Sequence, residues 1–378
     1  MSDDLSIFSS SEIKDIVQDM RELLSQNNLA FLLGAGCSKS AGLPLMPELT
    51  EMVLNHEKIS DDSKQIINNV CDFFTGAESA TIEDYMSEIV DLLSMAYRRT
   101  QCGASNCKIR IGDQEKEATE LQKTLNDIKE AISSSIGDKD VDITAHQQFT
   151  RAIHGSLQAG KDRRNVDYFI LNYDTLLEDS LGLERVEYFD GFIGGATGWW
   201  EPRTFNTDEQ SVRIFKIHGS IDWCVLEDDP LPRRIRSGVK TELSKNHVLI
   251  YPAATKYQET QRDPFSQMLN HLRQSLCPSE GKEMILAICG YSFGDSHIDM
   301  EIENALYRSK GRLTIAVFVG TDEPDGKLQE WLNDPDISDQ IRVYANKGFF
   351  HGKKAIKLSN DTLWWKFEIL SRLLGGER

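Results

Sequence analysis

Apolar residues recur with helical spacing over residues 11–27, which predicts an amphipathic helix. A short continuous apolar run follows at 29–33 and stops at a glycine, as a buried parallel strand does. A Gly-rich loop and a helix are predicted for 34–58. Between 59 and 163 the apolar spacing is almost wholly helical, so we predict an α-helical insertion, 59–163, packed beside a sheet.

After residue 163 short apolar runs alternate with helical segments, notably 262–277 and 297–309. The runs predicted to be strands are 166–171, 185–188, 212–217, 248–251, 284–289 and 313–319. This alternation is typical of βαβ units. It predicts an α/β fold with a Rossmann-like parallel sheet flanked by helices, formed by 1–58 and 164–350. The segment 351–378 is predicted to be a C-terminal helix, amphipathic at 362–374.

Composition narrows the class of protein. The 378 residues carry a net charge of −18, which argues against direct nucleic-acid binding because phosphate neutralisation needs a cationic surface. The basic run from Arg233 to Arg236 is predicted to be a solvated loop. We expect no secretory signal and no membrane span. The seven scattered cysteines then indicate reduced thiols in a cytoplasmic protein, without a zinc or other metal site.

The first candidate for chemistry is the segment 34–38, Gly-Ala-Gly-Cys-Ser, directly after the first predicted strand. Glycines let the chain turn sharply and let amides approach a pyrophosphate, and a following helix start favours the same anion. Tight turns use the same spacing, and Lys39 stands where dinucleotide sites have a third glycine. A phosphate site and an ordinary turn both remain open for this segment.

Two further candidates follow predicted strands. Asn172 and Asp174 follow the run at 166–171, where open α/β sheets bind ligands, although Asp174 can equally cap the next helix. His218 follows the run at 212–217 and can act as a general base or be a structural histidine. The tetrad Ile-His-Gly-Ser also occurs at 153–156, but His154 shares a helical pattern with its neighbours. We therefore assign the base to His218.

The last candidates follow the runs at 284–289 and 313–319. Gly290 and Ser292 lie among small residues suited to a phosphate or a ribose. Asp322 can accept hydrogen bonds from the ribose hydroxyls of adenosine, or be a plain turn residue.

Taken in order, these segments resemble the sirtuin superfamily. The shared features are Gly-Ala-Gly-x-Ser with Gly42-Leu43-Pro44 behind it, Asn-x-Asp, His-Gly-Ser and a Gly-x-Ser loop. The spellings Leu-Asn-Tyr-Asp-Thr-Leu-Leu-Glu and Lys-Ile-His-Gly-Ser-Ile-Asp-Trp resemble the sirtuin-like NAD hydrolases of bacterial antiphage defence systems, short proteins partnered with a HerA-type ATPase. The resemblance spans roughly 29–50 and 165–322 and does not identify the helical insertion.

The resemblance implies an NAD+ glycohydrolase that releases nicotinamide and ADP-ribose, with NAD as substrate and no metal. It implies these roles: phosphate contacts for Gly34, Ala35, Gly36 and Ser38; positioning of the nicotinamide ribose and a water for Asn172; carboxamide contact for Asp174; the base for His218; and adenosine contacts for Gly290 and Ser292. Such an activity needs control, so we expect gating by a homo-oligomer or a HerA-type ATPase partner.

Two departures weigh against protein deacylation. Leu45-Met46-Pro47 follows Pro44 where deacylating sirtuins carry Asp-Phe-Arg, and 224–246 holds one cysteine where they carry a four-cysteine zinc module. An NAD-dependent protein deacylase and a non-catalytic NAD or ADP-ribose sensor remain as alternatives. Release of nicotinamide from NAD without an acyl peptide distinguishes the three.

Overall fold

The computed structural model describes residues 5–11, 13–76, 80–155, 165–206, 212–226, 229–235, 247–250 and 263–377. The α-helices in these ranges are α1 (Lys14–Leu24), α2 (Ala35–Lys39), α3 (Met46–Leu54), α4 (Asp61–Cys71), α5 (Ile82–Gln101), α6 (Ala118–Gly137), α7 (Thr144–His154), α8 (Leu176–Leu183), α9 (Phe265–Ser275), α10 (Ser296–Ser309), α11 (Gly326–Asn333) and α12 (Phe367–Leu374). The strands are β1 (Asn28–Leu33), β2 (Ile109–Ile111), β3 (Gln114–Lys116), β4 (Asn165–Ile170), β5 (Phe192–Gly194), β6 (Thr197–Trp200), β7 (Val212–Lys216), β8 (Gly219–Leu226), β9 (Asp229–Ile235), β10 (His247–Ile250), β11 (Met284–Cys289), β12 (Leu313–Val319), β13 (Ile341–Ala345), β14 (Gly348–His351) and β15 (Lys354–Lys357).

The central sheet has the strand order β15-β14-β13-β12-β11-β1-β4-β7. The strands from β13 to β7 are parallel, and β14 and β15 extend the β13 edge in antiparallel fashion. Numbered along the chain, the parallel strands follow the order 3-2-1-4-5-6 of the doubly wound dinucleotide-binding fold. The α/β fold with a Rossmann-like parallel sheet is thus confirmed. The strand order reverses between β1 and β11.

Helices cover both faces of this sheet, which explains why its central strands β1 and β11 are apolar over nearly their whole length. Along β1, Phe31 packs into one core beside Phe149 of α7, and the neighbouring Leu32 packs into the opposite core with α9 and α10. Successive side chains of a strand point to opposite faces, so a strand buried on both faces needs apolar residues at every position.

The helices α3 to α6 share a core of their own, whereas α7, which the predicted insertion also includes, packs against the sheet through Phe149. That core also takes in Leu43 near the first loop, and Tyr173 and Leu176 beyond β4. The helix α6 packs against β8 and β10. The prediction for 59–163 missed the short hairpin of β2 and β3, whose strands have only three residues each and show no clear alternation.

A second, antiparallel sheet with the order β10-β8-β9-β6-β5 was not predicted. Its buried face is aromatic, with Trp200 and Trp223 packed around Phe192. The predicted strand at 248–251 falls here, as β10, and residue 251 lies outside the described residues. The predicted loop at the basic run is wrong: Arg233 and Arg234 lie on β9. Arg236 lies outside the described residues.

Two other predictions need correction. Residues 185–188 do not form a strand: Arg185 has φ +58° and the Val186 N–H donates to Leu181 O, which closes the end of α8. The C-terminal helix begins only at Phe367, and β15 occupies Lys354–Lys357. Within the described ranges, no helix combines the length and apolar character required to span a bilayer.

Candidate functional site

The candidate site lies at the carboxyl ends of β1 and β11, where the strand order reverses and open α/β sheets bind ligands. The Gly34 N–H donates to Cys289 O at 2.9 Å, and the Gly36 N–H donates to Gly290 O at 2.9 Å. The loop after β1 is thereby bonded to the loop after β11.

Glycine is required on both sides of this contact. A Cβ on Gly34 would lie 2.4 Å from Gly290 O, and one on Gly36 would lie 2.7 Å from Gly290 Cα. Gly290 itself has φ +64°, and its Cβ would lie 2.4 Å from the Cys37 nitrogen. The N–H groups of Gly34 and Gly36 donate to carbonyl groups of the protein, and contact of this loop with a pyrophosphate stays a prediction. These glycines allow two backbones to touch.

Asn172, two residues beyond β4, is held in one orientation. Its Nδ2 donates to Gly34 O at 3.0 Å and to Ser38 Oγ at 2.7 Å. A backbone carbonyl only accepts, so the amide nitrogen must face it. The other amide atom, Oδ1, is buried and has no hydrogen-bond partner among the residues that the structure describes. Buried acceptors are rarely left unpaired, so this atom is a candidate for contact with a ligand.

Ser38 and Asp174 complete this network from buried positions. Ser38 Oγ donates to Asp174 Oδ2 at 2.6 Å, and Asp174 Oδ1 accepts from the Leu176 N–H at 3.1 Å. The N-cap residue of α8 is Thr175 and not Asp174, although the Asp174 carboxylate accepts from the first N–H of that helix while it also accepts from Ser38. The Ser38 proton is committed to Asp174, while its oxygen accepts from Asn172.

Lys216, the last residue of β7, holds the loop that carries Asn172 and Asp174. Its buried Nζ donates to Asp174 O and lies 3.3 Å from Glu178 Oε1. Burial raises the pKa of Glu178 to about 7, against the opposing effect of the Lys216 charge. The Ile221 N–H donates to Tyr173 O at 3.0 Å, which ties the Asn172 loop to the segment that follows His218.

His218 lies two residues beyond β7 and is 7% exposed. Its Nε2 is 3.1 Å from Oδ2 of Asp295, which is 5% exposed. Asp295 is the N-cap residue of α10, and its Oδ1 accepts from the His297 N–H at 3.1 Å. An acid–histidine pair therefore joins the loop after β11 to the end of β7.

The second histidine of the repeated tetrad lies elsewhere. His154 is in α7, is 2% exposed, and its Nε2 lies 2.7 Å from the Tyr168 hydroxyl within the core. The structure places His154 in the packing of the sheet, and places His218 at the carboxyl edge.

Ser292 and Asp322 are both exposed at this edge of the sheet. Asp322 follows β12, and its two carboxylate oxygens accept from Asn346 Nδ2 at 3.0 Å and Lys347 Nζ at 2.9 Å. The Asn346 hydrogen bond, followed by that of Lys347, lowers the pKa of Asp322. Among the described residues, no group of three or more His, Cys, Asp or Glu is placed to hold a metal ion.

Sequence reasoning missed two residues of this site, Lys216 and Asp295. Both belong to segments that it singled out, but neither received a role. The contact of Asp295 with His218 joins positions far apart in the chain. Only the fold brings them together.

Comparisons with known proteins agree with this picture over part of the chain. Residues 167–339 match the SIR2-like domain, a little under half of the sequence. A solved Sir2 homologue, a mutant in complex with ADP-ribose, is similar at 10% identity with a TM-score of 0.36, over 80% of this chain and 86% of that one. No curated protein matches the chain. The matched residues include Asn172, His218 and Asp295.

Proposed function

We propose that this protein binds NAD at the carboxyl edge of β1, β4, β7 and β11 and hydrolyses its nicotinamide–ribose bond. The observation that carries the proposal is the orientation of Asn172. Its nitrogen is held by Gly34 and Ser38, and its buried Oδ1 is left for a ligand. An acceptor fixed in this way suits a ribose hydroxyl or an attacking water.

The chemistry of the bond sets what the residues must do. Water attacks C1′ of the ribose, the C–N bond breaks, and its electron pair neutralises the nicotinamide ring, which leaves as a neutral molecule. The water proton passes to His218 as general base. Asn172 Oδ1 orients the water or the ribose, and the fixed dipoles of the site stabilise the positive charge that develops on the sugar.

In this proposal the loop at 34–38 forms the floor of the phosphate site. Gly34 and Gly36 bring the β1 loop against Gly290, while Ala35, Ser38 and Ser292 border the space above it. Asp174 faces the carboxamide, and Asp322 serves the adenosine ribose. NAD is the substrate, and no step of the reaction asks for a metal.

One experiment tests the activity. The purified protein is incubated with NAD alone, and free nicotinamide and ADP-ribose are separated and quantified. We expect both products in equal amounts, and the His218→Ala protein serves as the control. Turnover that requires an acyl-lysine peptide would instead identify a deacylase. NAD or ADP-ribose binding by calorimetry without any product would identify a sensor.

We further propose, from the resemblance of the motifs, that the enzyme is an antiphage effector that depletes NAD when activated. Activation would come from a homo-oligomer or from a HerA-type ATPase partner. NAD turnover measured with and without such an ATPase, alongside the mass of the assembly in solution, tests this. Equal rates and no complex would contradict control by the partner.

A further inference from the structure

The loop from Gly290 to Asp295 crosses the candidate site. It starts at the end of β11 and ends at Asp295, whose side chain contacts His218 beyond β7, and β1 and β4 lie between these two strands. With neighbouring strands about 4.8 Å apart, β11 and β7 are separated by roughly 14 Å. A buried contact made across this distance needs support along the loop, and the structure supplies it.

Asp295 is held on its backbone and on its side chain. The Asp295 N–H donates to the Tyr291 hydroxyl at 3.1 Å, and that hydroxyl lies 3.1 Å from Asp295 O and 2.9 Å from Asp299 Oδ1. Its carboxylate divides its two oxygens between two partners. Oδ1 caps α10 through the His297 N–H, and Oδ2 faces His218 Nε2. The start of α10 therefore fixes where the carboxylate lies.

We propose that Asp295 is the positioning residue that sets the tautomer and orientation of His218. A carboxylate only accepts, so a neutral imidazole beside it carries its proton on Nε2 and keeps its lone pair on Nδ1. A carboxylate in this role also stabilises the imidazolium that forms when the base takes a proton. The inference rests on the proposed function only for the identity of the reaction. The tautomer itself is a property of the unliganded protein.

The substitution that separates chemistry from structure is Asp295→Asn. Asparagine is as good an N-cap as aspartate, so its Oδ1 still accepts from the His297 N–H. Its Nδ2 then faces His218 and donates, which forces the proton of the ring onto Nδ1 and blocks Nε2. We expect the NAD dissociation constant to stay within about threefold of wild type, while kcat falls about 10²–10⁴-fold.

The tautomer is read directly by nuclear magnetic resonance of protein labelled with ¹⁵N at its eight histidines. The His218→Gln protein assigns the signals. At about pH 9, well above the usual histidine pKa, we expect the Nε2–H form in wild type and the Nδ1–H form in Asp295→Asn. The control is Asp325→Asn, which makes the same change at the exposed N-cap of α11 and should leave both tautomer and kcat unaltered.

The outcomes separate this inference from the proposed function. An Nδ1–H tautomer in wild type overturns the inference, whatever the reaction and even if Asp295→Asn does not fold. An Asp295→Asn protein that is faster than wild type and binds NAD more tightly also overturns it. The Asp295 carboxylate would then hinder His218 by holding it away from the substrate. The expected tautomers in a protein that leaves NAD intact support the pair and refute the hydrolase.

Discussion

At the scale of single residues, Asn172 separates binding from turnover. Asn172→Ala removes the buried Oδ1 together with the Nδ2 hydrogen bonds to Gly34 O and Ser38 Oγ. It leaves the backbone hydrogen bonds from Gly34 to Cys289 and from Gly36 to Gly290 in place. We expect kcat for nicotinamide release to fall by at least about 10²-fold while the NAD dissociation constant changes less than about threefold, because an orienting group acts mainly in the transition state. Asn126→Ala on the surface of α6 is the control. Normal turnover by a folded Asn172→Ala protein would reject this role.

The repeated tetrad gives a matched pair of histidines. His218→Ala should lower kcat by at least about 10²-fold, the usual contribution of a positioned base. His154→Ala should leave kcat unchanged and lower the free energy of unfolding by about 1–3 kcal/mol, because the Tyr168 hydroxyl loses a buried partner. Steady-state kinetics and urea unfolding on both proteins check this. The opposite pattern would show that the base is His154.

At the scale of elements, the contact between the loops after β1 and β11 depends on glycines, which have no side chain to separate the two backbones. Gly36→Ala should lower the free energy of unfolding by about 1–3 kcal/mol, as overpacking does, and weaken NAD binding. The Cβ meets backbone, which cannot rotate away. Gly182→Ala in α8 is the matched control: its Cβ meets nothing within 4 Å, so stability should rise by about 0.5–1 kcal/mol. Equal melting temperatures for the two variants would contradict the argument.

The packing of α7 against α12 carries a pH dependence. Burial lowers the pKa of His146 to about 4, partly offset by the Asp174 charge, and its ring lies 4.8 Å from that of Phe367. Between pH 6.5 and about 4 the unfolded chain binds a proton that the folded protein does not, so stability falls as the pH falls. Below pH 4 the titration of His146 lowers the free energy of unfolding by about 3 kcal/mol in total. Above pH 6.5 it vanishes.

The measurement compares wild type with His146→Leu, which still packs a side chain against Phe367 but has no group that titrates. Urea unfolding of both proteins is followed from pH 7.5 to 4.5. The difference in unfolding free energy should shift in favour of the variant as the pH falls. Two parallel profiles would mean that His146 titrates normally in the folded protein.

Elements were predictable from the sequence where one environment covers a whole strand or helix. The runs that became β1, β11 and β12 are buried on both faces, so nearly every position is apolar; the exception is the half-buried Thr314 of β12. The second sheet was not predicted because β9 mixes Arg233 and Arg234 with apolar residues. In the structure these arginines pair with Asp229 and Asp190. Residue contacts between elements, such as that of His218 with Asp295, depend on topology and leave no local pattern.

At the scale of the whole molecule, the insertion and the candidate site are one structure. Tyr173, between Asn172 and Asp174, donates from its buried hydroxyl to Glu83 of α5 at 2.5 Å. Its ring lies in the core of α3 to α6. We therefore expect one calorimetric unfolding transition, as a single cooperative unit gives. Two separated transitions would show that the insertion is an independent domain.

The position of β1 in the sheet has a consequence for the newly made chain. Leu29 pairs with Val166 on one side and with Ile285 on the other, so both partners are synthesised long after it. At ribosomal rates the interval before β11 emerges is roughly 10–50 s. The helices of the insertion, whose contacts are local, can fold during that time, whereas the central sheet cannot close. The candidate site, which includes β11 and Asp295, therefore cannot form until those residues have left the ribosome, and the apolar β1 segment has to be shielded from aggregation until then.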